Sequence, residues 1–204
     1  MTAAPAGASG VPAALLFCVA PLLLLAAALG LRGSGRVNSG AAVVARLRPY
    51  VGAARAAAEA EGVPLALVLA VASAESGGRP DARSHRDAVG LMQLREDTAD
   101  ELAARRGEPR PDRGDPATSL RLGARYLAQQ FRRYAALPDP RAAALAAYNA
   151  GPGNVDGWLR DDGTETQRRG IETWVRFAET RAYLERVTWW ERRWALELGA
   201  SALR

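Results

Sequence analysis

The chain has 204 residues, a length that fits one compact domain with additional segments. It carries 27 basic residues, all of them arginine, against 22 acidic ones, for a net charge of +5. Such a charge suits an acidic polymer or an anionic membrane as partner. The arginines are scattered, and neither a zinc-ligand spacing nor the aromatic signature of RNA-binding domains occurs, so we do not expect nucleic acid as a partner. A single cysteine, Cys18, excludes an intramolecular disulfide.

Residues 13–31 form an uncharged apolar segment, AALLFCVAPLLLLAAALGL. Its length suits a membrane-spanning helix or the apolar part of a signal peptide, and Ala26-Ala27-Ala28 offers a cleavage site. No arginine precedes it and several follow it, which by the positive-inside rule weakly favours a cytoplasmic body. We predict a signal peptide or membrane anchor in residues 1–31, followed by a linker in residues 32–44. Whether the segment is cleaved stays open.

Residues 45–200 are predicted to form one mainly helical domain. The expected helices, in chain order, are Arg46 to Ala60, Pro64 to Glu75, Thr98 to Arg105, Asp115 to Tyr134, Arg141 to Tyr148 and Glu179 to Leu198. Proline and glycine predict loops at Arg106 to Pro116, at Asn149 to Asn154 and at Arg160 to Gly170. The one candidate for β structure is a short hairpin around Arg83 to Leu94.

The last predicted helix carries an apolar stripe on one face. Its members are Tyr183, Val187, Trp190, Trp194 and Leu198. We interpret this stripe as core or as membrane-facing surface, in preference to a ligand site.

Glu75 ends the apolar run that begins at Val63, and Gly77-Gly78 follows as a helix stop. An apolar helix of this kind must be buried. Burial and the negative end of the helix dipole both disfavour a carboxylate, so we expect the pKa of Glu75 to be raised. Such a carboxyl can donate a proton near neutral pH. The alternative is a boundary residue whose carboxylate points into water.

Several further blocks occur in order along the chain. They are Ser84, Gly90-Leu91-Met92-Gln93-Leu94, Asp115-Pro116 before Gly123 to Leu127, Ala147-Tyr148-Asn149-Ala150-Gly151, and Glu179-Thr180-Arg181-Ala182-Tyr183. Together with the Glu-Ser pair at residue 75 they resemble the soluble type of lytic transglycosylase domain, which has a goose-type-lysozyme-like fold. The resemblance spans Tyr50 to Trp190.

The resemblance implies cleavage of the β-1,4 bond between N-acetylmuramic acid and N-acetylglucosamine in peptidoglycan. Glu75 would protonate the glycosidic oxygen and then, as carboxylate, deprotonate the muramoyl C6 hydroxyl, which closes a 1,6-anhydro ring. This explains the lack of an obvious second acid beside Glu75, which ordinary glycosidases need. No cofactor or metal is implied. Peptidoglycan strands are the expected partner, and the expected location is extracytoplasmic, exported or anchored through residues 13–31.

The same resemblance assigns roles to the other blocks. Ser84 would contact Glu75 or substrate, and Met92 and Gln93 would line the sugar cleft. Tyr148 would direct its hydroxyl to the catalytic carboxyl. Asn149 would shape the turn, and Glu179 would be a second acid. For Ser84 and Asn149, local backbone capping is an equal alternative.

The sequence departs from the family pattern in two places. Arg95-Glu96 stands where an apolar pair is usual, and Asp87 stands where glycine is usual. The isolated His85 is interpreted as a solvated loop residue.

Two other functions remain open from sequence. A muramidase on the same scaffold would need an acid to position water, with Asp81, Asp87 or Glu179 as candidates. A non-catalytic module would hold glycan in the same groove without cleaving it. Exo or endo cleavage, stem-peptide preference and biological process are not determined by the sequence.

Overall fold

The computed structural model describes residues 40–167 and 174–202, with side chains described for 40–160 and 174–199. Its helices are α1 (Gly40–Leu47), a 3₁₀-helix (Arg48–Tyr50), α2 (Val51–Glu61), α3 (Leu65–Ser76), α4 (Glu96–Ala104), α5 (Pro116–Arg133), α6 (Pro140–Ala150), α7 (Pro152–Gln167) and α8 (Ala178–Ala202). The predicted mainly helical fold is confirmed. Within the described ranges, no helix is long and apolar enough to cross a membrane.

Several boundaries differ from the predictions. The helix expected from Arg46 to Ala60 is divided by the 3₁₀ turn around Pro49, because proline has no amide hydrogen for a helical bond. Helix α6 ends at Ala150 and α7 begins at Pro152, so the loop predicted from Asn149 to Asn154 is reduced to Gly151. Helix α7 continues to Gln167, so the loop predicted to begin at Arg160 is wrong up to Gln167. The predicted hairpin consists of two isolated antiparallel bridges, Arg83 with Val89 and Val89 with Leu94.

The N-terminal predictions are only partly covered by the described residues. The proposed signal or anchor, residues 1–31, lies outside them. Helix α1 begins at Gly40, inside the segment predicted as linker.

Helix α3 is the central element of the fold. Its buried residues, Leu67 to Ser73 and Ser76, lie on every side of the helix, which agrees with its apolar sequence. The helix ends as predicted, because Gly77 adopts a left-handed φ of 61° and its amide donates to the Ser73 carbonyl. Helix α8 packs along α3, and the Trp194 indole N–H donates to Ser73 Oγ at 2.9 Å. Glu75 is thereby placed at the carboxyl end of α3, beside α8.

The turn at residues 90–94 is fixed against helix α5. The Met92 amide donates to Ser119 Oγ at 3.1 Å, and a Cβ on Gly123 would lie 2.5 Å from the Met92 side chain. Gly90 has a φ of 83°, and a Cβ there would lie 2.3 Å from the Arg113 carbonyl oxygen. Glycine at both positions therefore lets the turn approach α5 closely.

Gly123→Ala is expected to destabilise the protein by about 1–3 kcal/mol, because the added methyl overlaps Cβ and Cγ of the buried Met92 as well as its mobile Cε. Urea unfolding measures the loss. Gly52→Ala is the matched control, since it also lies in a helix but its Cβ would meet nothing within 4 Å. We expect that control to be neutral or stabilising, and equal losses in the two variants would contradict the packing argument.

Candidate active site

Glu75 lies in the last turn of α3 and is partly buried. Tyr148 of α6 and Tyr183 of α8 are near enough to interact with its carboxyl. Burial raises its pKa to about 7, and the negative charge of Glu179 acts in the same direction. The Tyr183 hydroxyl and the positive charge of Arg186 oppose this rise by favouring the carboxylate. The net result is a carboxyl that holds a proton near neutral pH, as the sequence predicted.

Two buried tyrosines approach this carboxyl. Burial raises the pKa of both Tyr148 and Tyr183 well above the usual range, and the charge of Glu75 adds to the effect. Both phenols therefore remain protonated wherever Glu75 titrates. The Tyr183 hydroxyl is buried beside Glu75 and favours the carboxylate as a hydrogen-bond donor, although no bond of normal geometry joins the two groups.

The hydrogen-bond partner of Tyr148 differs from the predicted one. Its hydroxyl donates to the main-chain carbonyl of Met92 at 2.9 Å, so its single proton is not directed to Glu75. The Tyr148 ring packs against Tyr126 at a centroid distance of 5.2 Å. Tyr148 thus joins helix α6 to the 90–94 turn. Of the two tyrosines, Tyr183 is the one whose hydroxyl interacts with the Glu75 carboxyl.

Met92 is completely buried, and both its amide and its carbonyl are engaged by protein groups. It therefore supports the wall of the site from behind. Gln93 has a left-handed φ of 48°, and its Nε2 donates to the carbonyls of Ala82 and Gly90 at 3.0 and 2.9 Å. These two bonds close the base of the 82–90 loop and leave the Gln93 Oε1 as an acceptor on a partly exposed side chain.

Ser84 caps its own loop. Its Oγ accepts from the amides of Arg86 and Ala88 at 3.2 and 3.0 Å, which is the capping alternative considered for this residue. Asp87 has a φ of 58°, a backbone conformation that glycine adopts without strain. The departure from glycine at residue 87 is thus accommodated in a left-handed position, which aspartate tolerates better than most residues.

Arg113 connects the two positions at which the sequence departs from the family pattern. Its guanidinium donates to the Asp87 carbonyl at 2.6 Å and to the Leu94 carbonyl at 3.1 Å, and it pairs with the carboxylates of Asp87 and Glu96. Arg95 is partly buried and pairs with Asp97 at 3.5 Å. The charges at 87 and 96 therefore form part of one ion-pair network that holds the loop to the turn.

Asn149 and Glu179 meet where α6 and α8 come together. Asn149 Oδ1 accepts from Thr180 Oγ1 at 2.8 Å, and both side chains are buried. Glu179 lies in the first turn of α8, partly buried, and burial raises its pKa while Arg86 and Arg186 lower it. Asp81 and Asp87, the other two acids considered for positioning water, are exposed.

The family model for the transglycosylase SLT domain matches residues 52–170, which is more than half of the chain. The chain belongs to this family. It is 31% identical over 129 residues to the soluble lytic murein transglycosylase of Escherichia coli K12, covering 61% of this chain and 20% of that protein. It is 37% identical over 119 residues to membrane-bound lytic murein transglycosylase C of Klebsiella pneumoniae, covering 54% of this chain and 33% of that one.

Solved structures of SLT proteins resemble the fold. Lytic transglycosylase Slt of Pseudomonas aeruginosa, solved as an inactive mutant, matches with a TM-score of 0.65 at 34% identity, over 73% of this chain and 24% of that one. The 70-kDa soluble lytic transglycosylase in complex with bulgecin A matches with a TM-score of 0.66 at 26% identity. That match covers 78% of this chain and 26% of the other. This SLT chain therefore spans a third or less of the curated and solved relatives described here.

Sequence reasoning about the SLT domain overlooked Tyr183 as a neighbour of the acid. It was placed in the family block that begins at Glu179 and in the apolar stripe of the last helix, without a role beside the acid, and it is indeed buried. The available signal was its spacing of four residues from Glu179, which puts both side chains on one face of α8. Arg186, three residues further, packs over the Tyr183 ring with its guanidinium carbon 5.7 Å from the ring centroid.

Glu75→Gln is expected to alter stability in a pH-dependent way. A folded-state pKa of about 7 against an ordinary value of 4.5 means that the stability contribution of Glu75 is complete below pH 4.5 and is lost as pH rises through 7. Glutamine mimics the protonated form, so the variant should match the parent SLT domain at pH 4 and exceed it by on the order of 3 kcal/mol above pH 7. Urea unfolding at a series of pH values measures this difference, and a constant difference would contradict a raised pKa.

Proposed function

We propose that this chain is a peptidoglycan lytic transglycosylase that cleaves the β-1,4 bond between N-acetylmuramic acid and N-acetylglucosamine. The observation that carries the proposal is the Glu75 carboxyl, whose pKa is raised to about 7 by burial at the end of α3. Membership of the SLT family supports the reaction class, and both curated relatives described above are named lytic murein transglycosylases.

The proposed reaction uses Glu75 twice. The protonated carboxyl gives its proton to the glycosidic oxygen as the bond to the muramoyl C1 breaks, and the freed N-acetylglucosamine leaves with a new hydroxyl. The resulting carboxylate then takes the proton of the muramoyl C6 hydroxyl, whose oxygen bonds to C1. Glu75 regains its proton, and no water is consumed. A group with a pKa near the working pH serves well in both steps.

The surrounding residues supply position and charge. The buried Tyr183 hydroxyl stays protonated and lies close enough to donate a hydrogen bond to the Glu75 carboxylate once the proton has left. The partly exposed Oε1 of Gln93 can accept a hydrogen bond from a sugar. We assign the loop and turn residues Ser84, Met92 and Asn149 to holding the groove in shape, because their polar groups are bound within the protein.

Hydrolysis by a muramidase is the competing reaction, and Glu179 is the acid that it would use. Glu179 is the one of the three candidate acids whose charge acts on Glu75. Asp87 is exposed and paired with Arg83 and Arg113. A non-catalytic glycan-binding role would not require the raised pKa of Glu75. Lytic chemistry needs no second acid, and it is therefore the function we propose.

We further propose that the domain works outside the cytoplasm, exported or anchored by residues 13–31. The substrate lies there, and the relatives include proteins named soluble and membrane-bound. The apolar run of residues 13–31 is the feature of this chain that supports the proposal.

Incubation of the full chain with purified peptidoglycan is expected to release muropeptides with anhydro-muramoyl ends. Mass spectrometry distinguishes them, because each lacks one water relative to a hydrolysed end. The cleavage rate should fall as pH rises above about 7, since the first step needs protonated Glu75. Glu75→Gln should abolish cleavage while leaving glycan binding intact. Products that carry reducing ends would instead establish hydrolysis.

Glu179→Gln and Arg186→Gln form a matched pair. Removing the charge of Glu179 should lower the pKa of Glu75 and move the alkaline limb of the pH–rate profile to lower pH. Removing the charge of Arg186 should move the same limb to higher pH. Anhydro ends should persist in both variants. Complete loss of cleavage in Glu179→Gln alone would favour the muramidase.

A further inference from the structure

Two large apolar side chains are exposed within the described part of the chain, and both lie on α8. Trp189 is 54% exposed and Leu196 is 73% exposed. They are seven residues apart, which places them almost in line along one side of an α-helix. Arg192 lies between them on the same side and is also exposed. We call these three residues the α8 face.

The Trp189 ring is held in its exposed position. It packs edge to face on Trp190, with the ring centroids 4.7 Å apart and the planes at 82°. On another side it lies against Gly40, where an added Cβ would be 3.2 Å from the ring. An indole fixed in this way presents apolar surface to the outside at little cost in side-chain entropy.

Gly40 is also the point at which the folded body meets the N-terminal segment. Eight residues, 32–39, separate it from the apolar run of residues 13–31. Fully extended, they span at most about 29 Å. The apolar run has nineteen residues, which as a helix would measure about 29 Å and so match the hydrocarbon core of a bilayer. If that run lies in a bilayer, the tether holds Gly40, and Trp189 against it, within about 29 Å of the membrane surface.

We propose that the α8 face rests in the headgroup region of the bilayer that holds residues 13–31. The inference depends on the membrane anchoring proposed above. Tryptophan is enriched at this depth because its ring is apolar and its N–H is polar. Leu196 reaches the acyl boundary beside it, and the Arg192 guanidinium lies where lipid phosphates are.

This contact would also orient the catalytic groove. Tyr183, beside Glu75, precedes Trp189 by six residues, which is roughly 9 Å along the helix axis and about 120° around it. The groove then opens on a different side of α8 from the bilayer. Glycan strands outside the membrane could enter it while the body stays bound to the lipid surface.

The test uses the full chain reconstituted into phosphatidylcholine–phosphatidylglycerol vesicles, with and without lipids brominated near the headgroup. All five tryptophans lie after residue 157, so bromine quenching of tryptophan fluorescence reports contact of the body and not of the anchor. Flotation of the vesicles in a density gradient measures anchoring separately. Trp189→Phe is the test variant and Trp158→Phe, at a buried site, is the matched control.

We expect the parent chain to float with the vesicles and to be quenched, Trp189→Phe to float but lose most of the quenching, and Trp158→Phe to keep it. Flotation with equal quenching in both variants would overturn the α8 face and leave the anchor in place. Absence of flotation would overturn both. If Trp189→Phe instead weakens co-sedimentation with insoluble peptidoglycan and leaves quenching unchanged, the face binds glycan and not lipid.

Discussion

Desolvation of one carboxyl is the interaction on which the rest of this structure depends. Glu75 lies at the end of a helix with buried residues on every side, at the negative end of its dipole, and both conditions favour the protonated form. Arg186 and the Tyr183 hydroxyl offset part of this effect. A cation closer to the carboxyl would favour the carboxylate and lower this pKa, against the proton donation proposed for Glu75. The site balances burial against these two groups, and no direct ion pair joins Glu75 to a described residue.

Most motif residues form hydrogen bonds that connect one segment of the site to another. Tyr148 of the α6 block binds the carbonyl of Met92 in the turn, the Met92 amide binds Ser119 of α5, and Asn149 binds Thr180 of α8. Each bond joins segments that are far apart in sequence, so each block fixes the position of the next. This explains why the blocks occur together. A site built from a loop, a turn and two helix ends needs such bonds to keep its shape.

Local signals were predictable from sequence, and long-range partners were not. The apolar run and Gly77 are enough to fix the end of α3, and Asp115 caps α5 through the Thr118 amide. Helix α7 was missed because its sequence is polar, and its buried residues Val155 and Trp158 give too short a pattern to read. The partner of Tyr148 lies 56 residues away in sequence, and no spacing rule reports such a contact. The pairing of Arg113 with Asp87 is non-local in the same way.

The packing of α8 on α3 has a consequence for the order in which the chain is made. Ser73 and Trp194, which hydrogen-bond across that interface, are 121 residues apart in sequence. Tyr183 likewise lies far from Glu75 in sequence, near the end of the domain. A partly synthesised or partly exported chain therefore carries the glutamate without the helix that covers it. In that state the carboxyl is hydrated, ionised at neutral pH and chemically idle. The raised pKa on which the proposed chemistry depends therefore arises only when the last helix docks on α3.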